Sequence, residues 1–249
     1  MNRSHQWITH FETNLARERI DWSLQPDISE QEIHTILYSL QTWQLGETSD
    51  GKNLLRAATR YAKSIQDPLY VDAIALFIRE EQKHGNNLGR YLDRIGKPRV
   101  KANWEDTLFR KVRYFNTSME IWTLTVLVVE STAQLFYQSL KDATYCSLLK
   151  QICTDILIDE AWHIDFQTER LKMIFDGRTI VGQKLRRLIY KACFFGISLT
   201  VWMAHRKLFT AGGNSFRDYF PRMDHKYKKT LKRITSSENP ALQTLLPKA

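Results

Sequence analysis

The chain has 249 residues, with 36 Lys and Arg against 27 Asp and Glu, giving a formal charge of +9. Hydrophobic residues make up 43% and charged residues 25%, which excludes a disordered chain and provides for a sizeable core. Ten Gly and six Pro are too few for a turn-rich all-β fold, and three Cys with no Cys-x-x-Cys pair exclude a disulfide framework or a thiolate zinc site.

Ser29 with Glu32 three residues on is a capping-box signal for a first helix. Ile33, Ile36, Leu40, Trp43 and Glu47 then share one helical face. The stripe resumes past Gly51 at Leu54, Ala58, Tyr61 and Ile65, and Asp67-Pro68 stops it. A second stripe runs Ile74, Phe77, Glu81, His84, Leu88, Leu92 and Ile95, ending at Gly96-Lys97-Pro98. Residues 96–103 read as a loop, followed by a short amphipathic piece from Trp104 to Tyr114. A third stripe runs Met119, Thr123, Val126, Glu130, Ala133 and Tyr137. After a turn near Asp142 to Tyr145, a fourth runs Cys153, Ile156, Glu160, His163, Gln167, Leu171 and Ile174. Two hairpins joined by a longer connection around 96–118 are the layout of a four-helix bundle with one crossover.

Past Gly177 the composition changes. Residues 178–249 carry fifteen Lys and Arg against three Asp and Glu, whereas residues 1–177 carry 21 against 24. The chain thus divides into a helical body, 1–177, and a basic C-terminal extension, 178–249, packing on it. Such a segment suits an acidic partner: nucleic acid, anionic lipid or an acidic protein. Ala192 to Ala204 is uncharged and apolar for 13 residues, short of the roughly 20 a membrane span needs. A helix buried on the bundle is the expectation, an interfacial membrane helix the alternative. Residues 235–249 read as a polar tail. The charged N-terminus shows no secretory run, and a cytoplasmic setting is expected, with peripheral membrane attachment as the alternative.

The chemistry lies in two Glu-x-x-His pairs, Glu81/His84 and Glu160/His163. Residues three apart share a helix face, so each pair aims a carboxylate and an imidazole at one spot. With thirteen Glu and seven His, about 0.4 such pairs are expected by chance, so one copy is weak and two carry more weight. Glu47 and Glu130 lie on the inward stripes of the first and third helices. Either alone reads as a surface charge. Together the six make four carboxylates and two histidines in an apolar core, which two divalent cations would neutralise. In the pseudo-twofold arrangement Asp159 supports His84 and Glu80 supports His163.

These residues resemble the ferritin-like di-iron carboxylate proteins, and within them the soluble acyl-carrier-protein desaturases. Glu80-Glu81-Gln82-Lys83-His84-Gly85 resembles that family's Glu-Glu-x-x-His-Gly helix. Asp159-Glu160-Ala161-Trp162-His163 resembles its Asp-Glu-x-x-His helix, and Gly46-Glu47-Thr48 the segment carrying its first ligand. The likeness covers residues 35–175. Ala133 stands where that family has a Thr, and the chain is shorter. The radical-generating subunit of ribonucleotide reductase is a poorer match, because Leu88 stands at its radical Tyr.

The resemblance implies an oxygen-dependent oxidase of desaturase or hydroxylase type. It further implies two Fe, alternatively Mn or a mixed Mn/Fe pair, on Glu47, Glu81, His84, Glu130, Glu160 and His163. The substrate would be apolar, a small molecule or an acyl group on acyl carrier protein, beside Phe77, Trp122, Phe136 and Trp162. An external donor such as ferredoxin and a homodimer complete the expectation. The alternatives are a ferroxidase or iron-binding protein, a tRNA hydroxylase suggested by the basic third, and a dimanganese catalase.

Overall fold

A computed structural model describes residues 3–104, 107 and 118–236. Most of the piece expected at 104–114 and of the tail expected at 235–249 lies outside the described residues. Among these residues there are eight helices and no strand. They are α1 (Arg3–Leu15), α2 (Glu30–Glu47), α3 (Lys52–Ser64), α4 (Leu69–Arg94), α5 (Met119–Asp142), α6 (Ser147–Asp176), α7 (Ile180–Ala211) and α8 (Phe216–Thr235).

The bundle is made of α2, α4, α5 and α6. Helices α5 and α6 form a hairpin across a short turn and share the most extensive contact in the molecule. Helix α2 packs on α4, and the long 95–118 connection joins the two halves. Ser29 caps α2 as a full capping box: its hydroxyl accepts from Glu32 N at 3.2 Å, and the Glu32 carboxylate accepts from Ser29 N at 2.9 Å. The other Glu32 oxygen accepts from Tyr145 N at 2.7 Å and Thr144 Oγ1 at 3.0 Å, tying the start of α2 to the α5–α6 turn.

The first hydrophobic stripe does not form one helix. The chain breaks after Glu47, and Gly51 turns it in the left-handed region at φ +62°. A Cβ there would come within 2.5–2.9 Å of the Ile78 side chain, so both conformation and space require glycine. The break lets α3 pack separately on α4 and brings Glu47 level with the middle of α4.

Two apolar clusters flank the bundle's middle. One gathers Leu88 and Leu92 of α4 with Ile152, Cys153 and Ile156 of α6. The other gathers Phe77 and Ile78 with Trp7 and Phe11 of α1 and Phe166 of α6. Glu81 and His84 of α4 and Glu160 and His163 of α6 lie between these stretches.

The apolar segment at 192–204 is the middle of a 32-residue helix, longer than the sequence expectation. Helix α7 packs along α5 and α2, and α8 packs on α6 and α7. The start of α7 is fixed by Glu120 of α5. Its carboxylate accepts from Arg178 (2.7 Å), Arg186 (3.0 Å) and Tyr190 (2.7 Å). Near its end α7 kinks at His205, whose φ and ψ are −114° and 20°.

Candidate metal centre

The six side chains singled out in the sequence converge from four helices. Potential ligand atoms of Glu81, Glu130, Glu160 and His163 lie within 4.8 Å of one another, and so do those of Glu47, His84 and Glu160. Glu160 belongs to both groups. Five of the six residues are buried; Glu81 has 21% of its side chain exposed, toward a cavity.

The histidines are oriented from outside. His84 Nε2 lies 3.1 Å from Asp159 Oδ2, and His163 Nε2 lies 2.9 Å from Glu80 Oε2. A carboxylate only accepts, so Nε2 carries the hydrogen in each ring and Nδ1 of the neutral ring keeps its lone pair. Both Nδ1 atoms, both oxygens of Glu160 and Oε1 of Glu81 are buried without a well-aligned hydrogen bond, although His163 Nδ1 lies 2.9 Å from Glu81 Oε1. These five orphaned atoms belong to the converging set. Leaving them bare would cost about 1–3 kcal/mol each. Cations are what such a donor set accepts, and the residues fit a dinuclear site.

Helix α1 closes the outer side. Ser4, Trp7, Phe11 and Asn14 are its buried residues. The Asn14 amide donates to Glu80 Oε1 at 2.6 Å and to Asp159 Oδ1 at 2.8 Å. Each outer carboxylate therefore spends one oxygen on a histidine and the other on Asn14. Arg19 adds bonds to Asp159 at 2.9 Å and Asp155 at 2.6 Å. On the opposite side, the Tyr137 hydroxyl donates to Glu47 Oε1 at 2.6 Å. Sequence reasoning placed Tyr137 on an inward stripe without a role and assigned none to Asn14. The available signal was that Asn14 continues the Trp7–Phe11 stripe of an amphipathic helix.

Without cations the electrostatics are unbalanced. Burial, reinforced by the charges of Glu81 and Glu160, pushes Glu47 well above the ordinary carboxylate range. Burial and the charges of Glu160 and Glu81 do the same to Glu130. For His163 burial acts downward, and the surrounding Glu81, Glu160 and Glu80 outweigh it, raising it well above an ordinary histidine. Asp159 falls well below the usual carboxylate range, because His84 and Asn14 outweigh its burial.

Gly85, directly after His84, allows α2 to approach. A Cβ there would lie 2.7 Å from the Thr48 side chain and 3.1 Å from the Glu47 backbone. Beside the centre lies a cavity of about 370 Å³, lined by Glu47, Glu81 and Glu130 on one side. Phe77, Trp122, Val126, Val129 and Val201 form its apolar wall. Two expected lining residues are elsewhere. Phe136 lies about 120° around α5 from Glu130 and stacks on Trp43 at 4.2 Å. Trp162, two residues past Glu160, turns toward α1 and packs on His10 at 4.5 Å.

No protein-family model matches the sequence, and no curated protein matches it. Solved structures do match the fold. A variant of an R2-like ligand-binding oxidase with aerobically reconstituted Mn/Fe cofactor superposes with a TM-score of 0.64 at 17% identity, covering 95% of this chain and 94% of that one. Another variant, with the cofactor reconstituted anaerobically, gives a TM-score of 0.63 at 17% identity, covering 94% of each chain. The chain has the all-helical bundle fold of these proteins.

Proposed function

We propose that this chain is an oxygen-dependent oxidoreductase whose dinuclear metal centre is held by Glu47, Glu81, His84, Glu130, Glu160 and His163. The observation that carries this is the inward convergence of those side chains, with both histidines locked from behind and their Nδ1 atoms turned toward the carboxylates. Iron, manganese or a mixed pair suits the carboxylate-rich, two-nitrogen set, and the Mn/Fe cofactor of the fold neighbours supports a redox metal. Such cations would supply the electrons that reduce O2.

The chain's own residues do the rest. Glu80 and Asp159 hold the two Nε2 hydrogens, which keeps both rings aimed with Nδ1 turned inward. Tyr137 fixes one oxygen of Glu47. The wall of Phe77, Trp122, Val126 and Val129 excludes water and accepts an apolar substrate next to Glu81 and Glu130. The cavity falls within the usual range for small-ligand pockets, about 300–1,000 Å³. It suits desaturation or hydroxylation of an acyl-type chain, with an external donor such as ferredoxin supplying electrons.

The test is anaerobic reconstitution of the full chain with Fe(II), Mn(II) or both, followed by metal analysis, optical spectra and O2 uptake. Two metal ions per chain and an O2-dependent visible band are expected, and Glu130→Ala or His163→Ala should lose both. Variants that keep two metals and full O2 uptake overturn the ligand assignment. Rapid disproportionation of H2O2 without net reduction of O2 would make the protein a catalase.

A further inference from the structure

We propose that the outer face of α7 seats the protein on an anionic lipid surface. Val181, Leu185, Leu188, Leu199 and Met203 are all exposed, Val181 at 78% and Leu188 at 68%. They recur every three or four residues, so they form one line along the helix. Ala192 and Gly196 fill the two intervening positions, and a Cβ on Gly196 would meet nothing within 4 Å. The stripe runs from Val181 to Met203, 23 residues of helix and about 33 Å. That is far more continuous apolar surface than scattered exposed leucines explain.

The charges around it name the occupant. Exposed Lys184, Arg187 and Lys191 run along one edge, and exposed Arg206 and Lys207 stand at the far end. Helix α7 contains no Asp or Glu. An apolar stripe bordered by long cationic side chains is the composition of a helix lying at a bilayer interface, its ammonium and guanidinium groups reaching anionic headgroups. A second copy docked stripe to stripe would bring like charges together with no acid on either helix. A soluble acidic carrier would answer the cations and leave the stripe in water. By length and composition α7 suffices to cross a membrane. Its inner face, with Tyr190, Phe194 and Trp202, is however built into the protein core, so the helix lies along the bilayer.

The same helix connects this surface to the cavity. Val201 and His205 line the cavity from the inner side of α7, about one helix diameter, roughly 10 Å, from the docked lipid. An apolar substrate would then be drawn from the membrane itself. That last step rests on the oxidoreductase reading; the docking does not, and vesicle binding tests it whatever the metal content.

The experiment is flotation of the full chain with phosphatidylcholine vesicles and with vesicles of equal parts phosphatidylcholine and phosphatidylglycerol. Partition onto the anionic vesicles should be at least about a hundredfold stronger. The combined variant Leu185→Ser, Leu188→Ser, Leu199→Ser should lose it. Lys184→Gln, Arg187→Gln, Lys191→Gln should weaken it on the order of a hundredfold. Both variants change exposed positions, and unchanged thermal melting confirms their fold. The proposal is overturned if the wild type does not float, or if both variants float undiminished. It is also overturned by a stable dimer that the leucine variant makes monomeric, or by retention of an acidic acyl carrier protein that ignores the leucine changes.

Discussion

Glu120 and Glu130 sit on the same helix, ten residues apart, and both are shielded from water. Glu120 meets two guanidinium groups and a phenol, each at about 3 Å or less, all from the same C-terminal stretch. Its pKa is lowered: burial acts upward, and Tyr190, Arg186 and Arg178 outweigh it. Glu130 meets Glu81, Glu160 and His163. Among the described residues, the ion-pair partners of the central carboxylates are the two histidines alone. Glu120 is compensated by the polypeptide. In the central set Glu47, Glu130 and His163 are all pushed toward their protonated forms, so protons compensate it until cations displace them, which separates a structural carboxylate from a ligand.

The largest way to break this contrast is at Glu130. Metal at a thousandfold excess over its Kd should stabilise the wild type by about 4 kcal/mol. Glu130→Gln should lose most of that gain. Its metal-free form should melt no lower than the metal-free wild type, because a neutral amide replaces a buried acid among like charges. Calorimetry with and without a chelator reads both quantities. Equal metal-linked stabilisation in the two proteins would make Glu130 a bystander.

Glu120→Ala should behave oppositely. It leaves Arg178 and Arg186 without their partner and loosens α7, and a loss of about 2 kcal/mol is expected with or without metal. Urea denaturation of metal-free protein measures it. A variant as stable as the wild type would show that the arginines are satisfied by water.

A third change sharpens the comparison at its border. Asn14 bridges the two carboxylates that orient the histidines, so it is compensated by protein yet acts on the ligands. Asn14→Ala should weaken metal binding about ten- to a hundredfold. Competition with a chromophoric chelator measures this. Unaltered affinity would reduce α1 to a cover.

How much of this was legible in the sequence follows from the range of each interaction. The Glu-x-x-His pairs are readable because three residues close one helical turn, and the helix alone decides that both side chains share a face. The break after Glu47 is readable because the apolar stripe is interrupted there and resumes only past Gly51. Asn14 and Tyr137 are not, since their partners lie 66, 145 and 90 residues away and depend on how helices rotate as they dock. The same rotation decides that Phe77 and Trp122 face the cavity while Phe136 and Trp162 do not. The length of α7 was masked by its own cations, which interrupt the apolar run in sequence but lie along its edge and at its end in space.

Glu32 supplies the smallest and cleanest contrast, a carboxylate satisfied mainly by backbone and hydroxyl groups near the surface. Burial acts upward on its pKa, and hydrogen bonds from Ser29, Tyr145 and Thr144 outweigh it, taking it from the ordinary 4.5 down to about 2. A carboxylate whose folded pKa is depressed stabilises the fold above its unfolded value. That contribution is therefore complete above about pH 4.5 and fades as pH falls toward 2. Glu32→Gln removes the charge but keeps the shape of the cap, so it should cost about 1 kcal/mol at neutral pH. The urea midpoints of wild type and variant should converge as the pH drops through this window. A difference that persists unchanged at pH 2 would mean that Glu32 acts through packing and not through its charge, and the link between the α2 cap and the α5–α6 turn would then be steric.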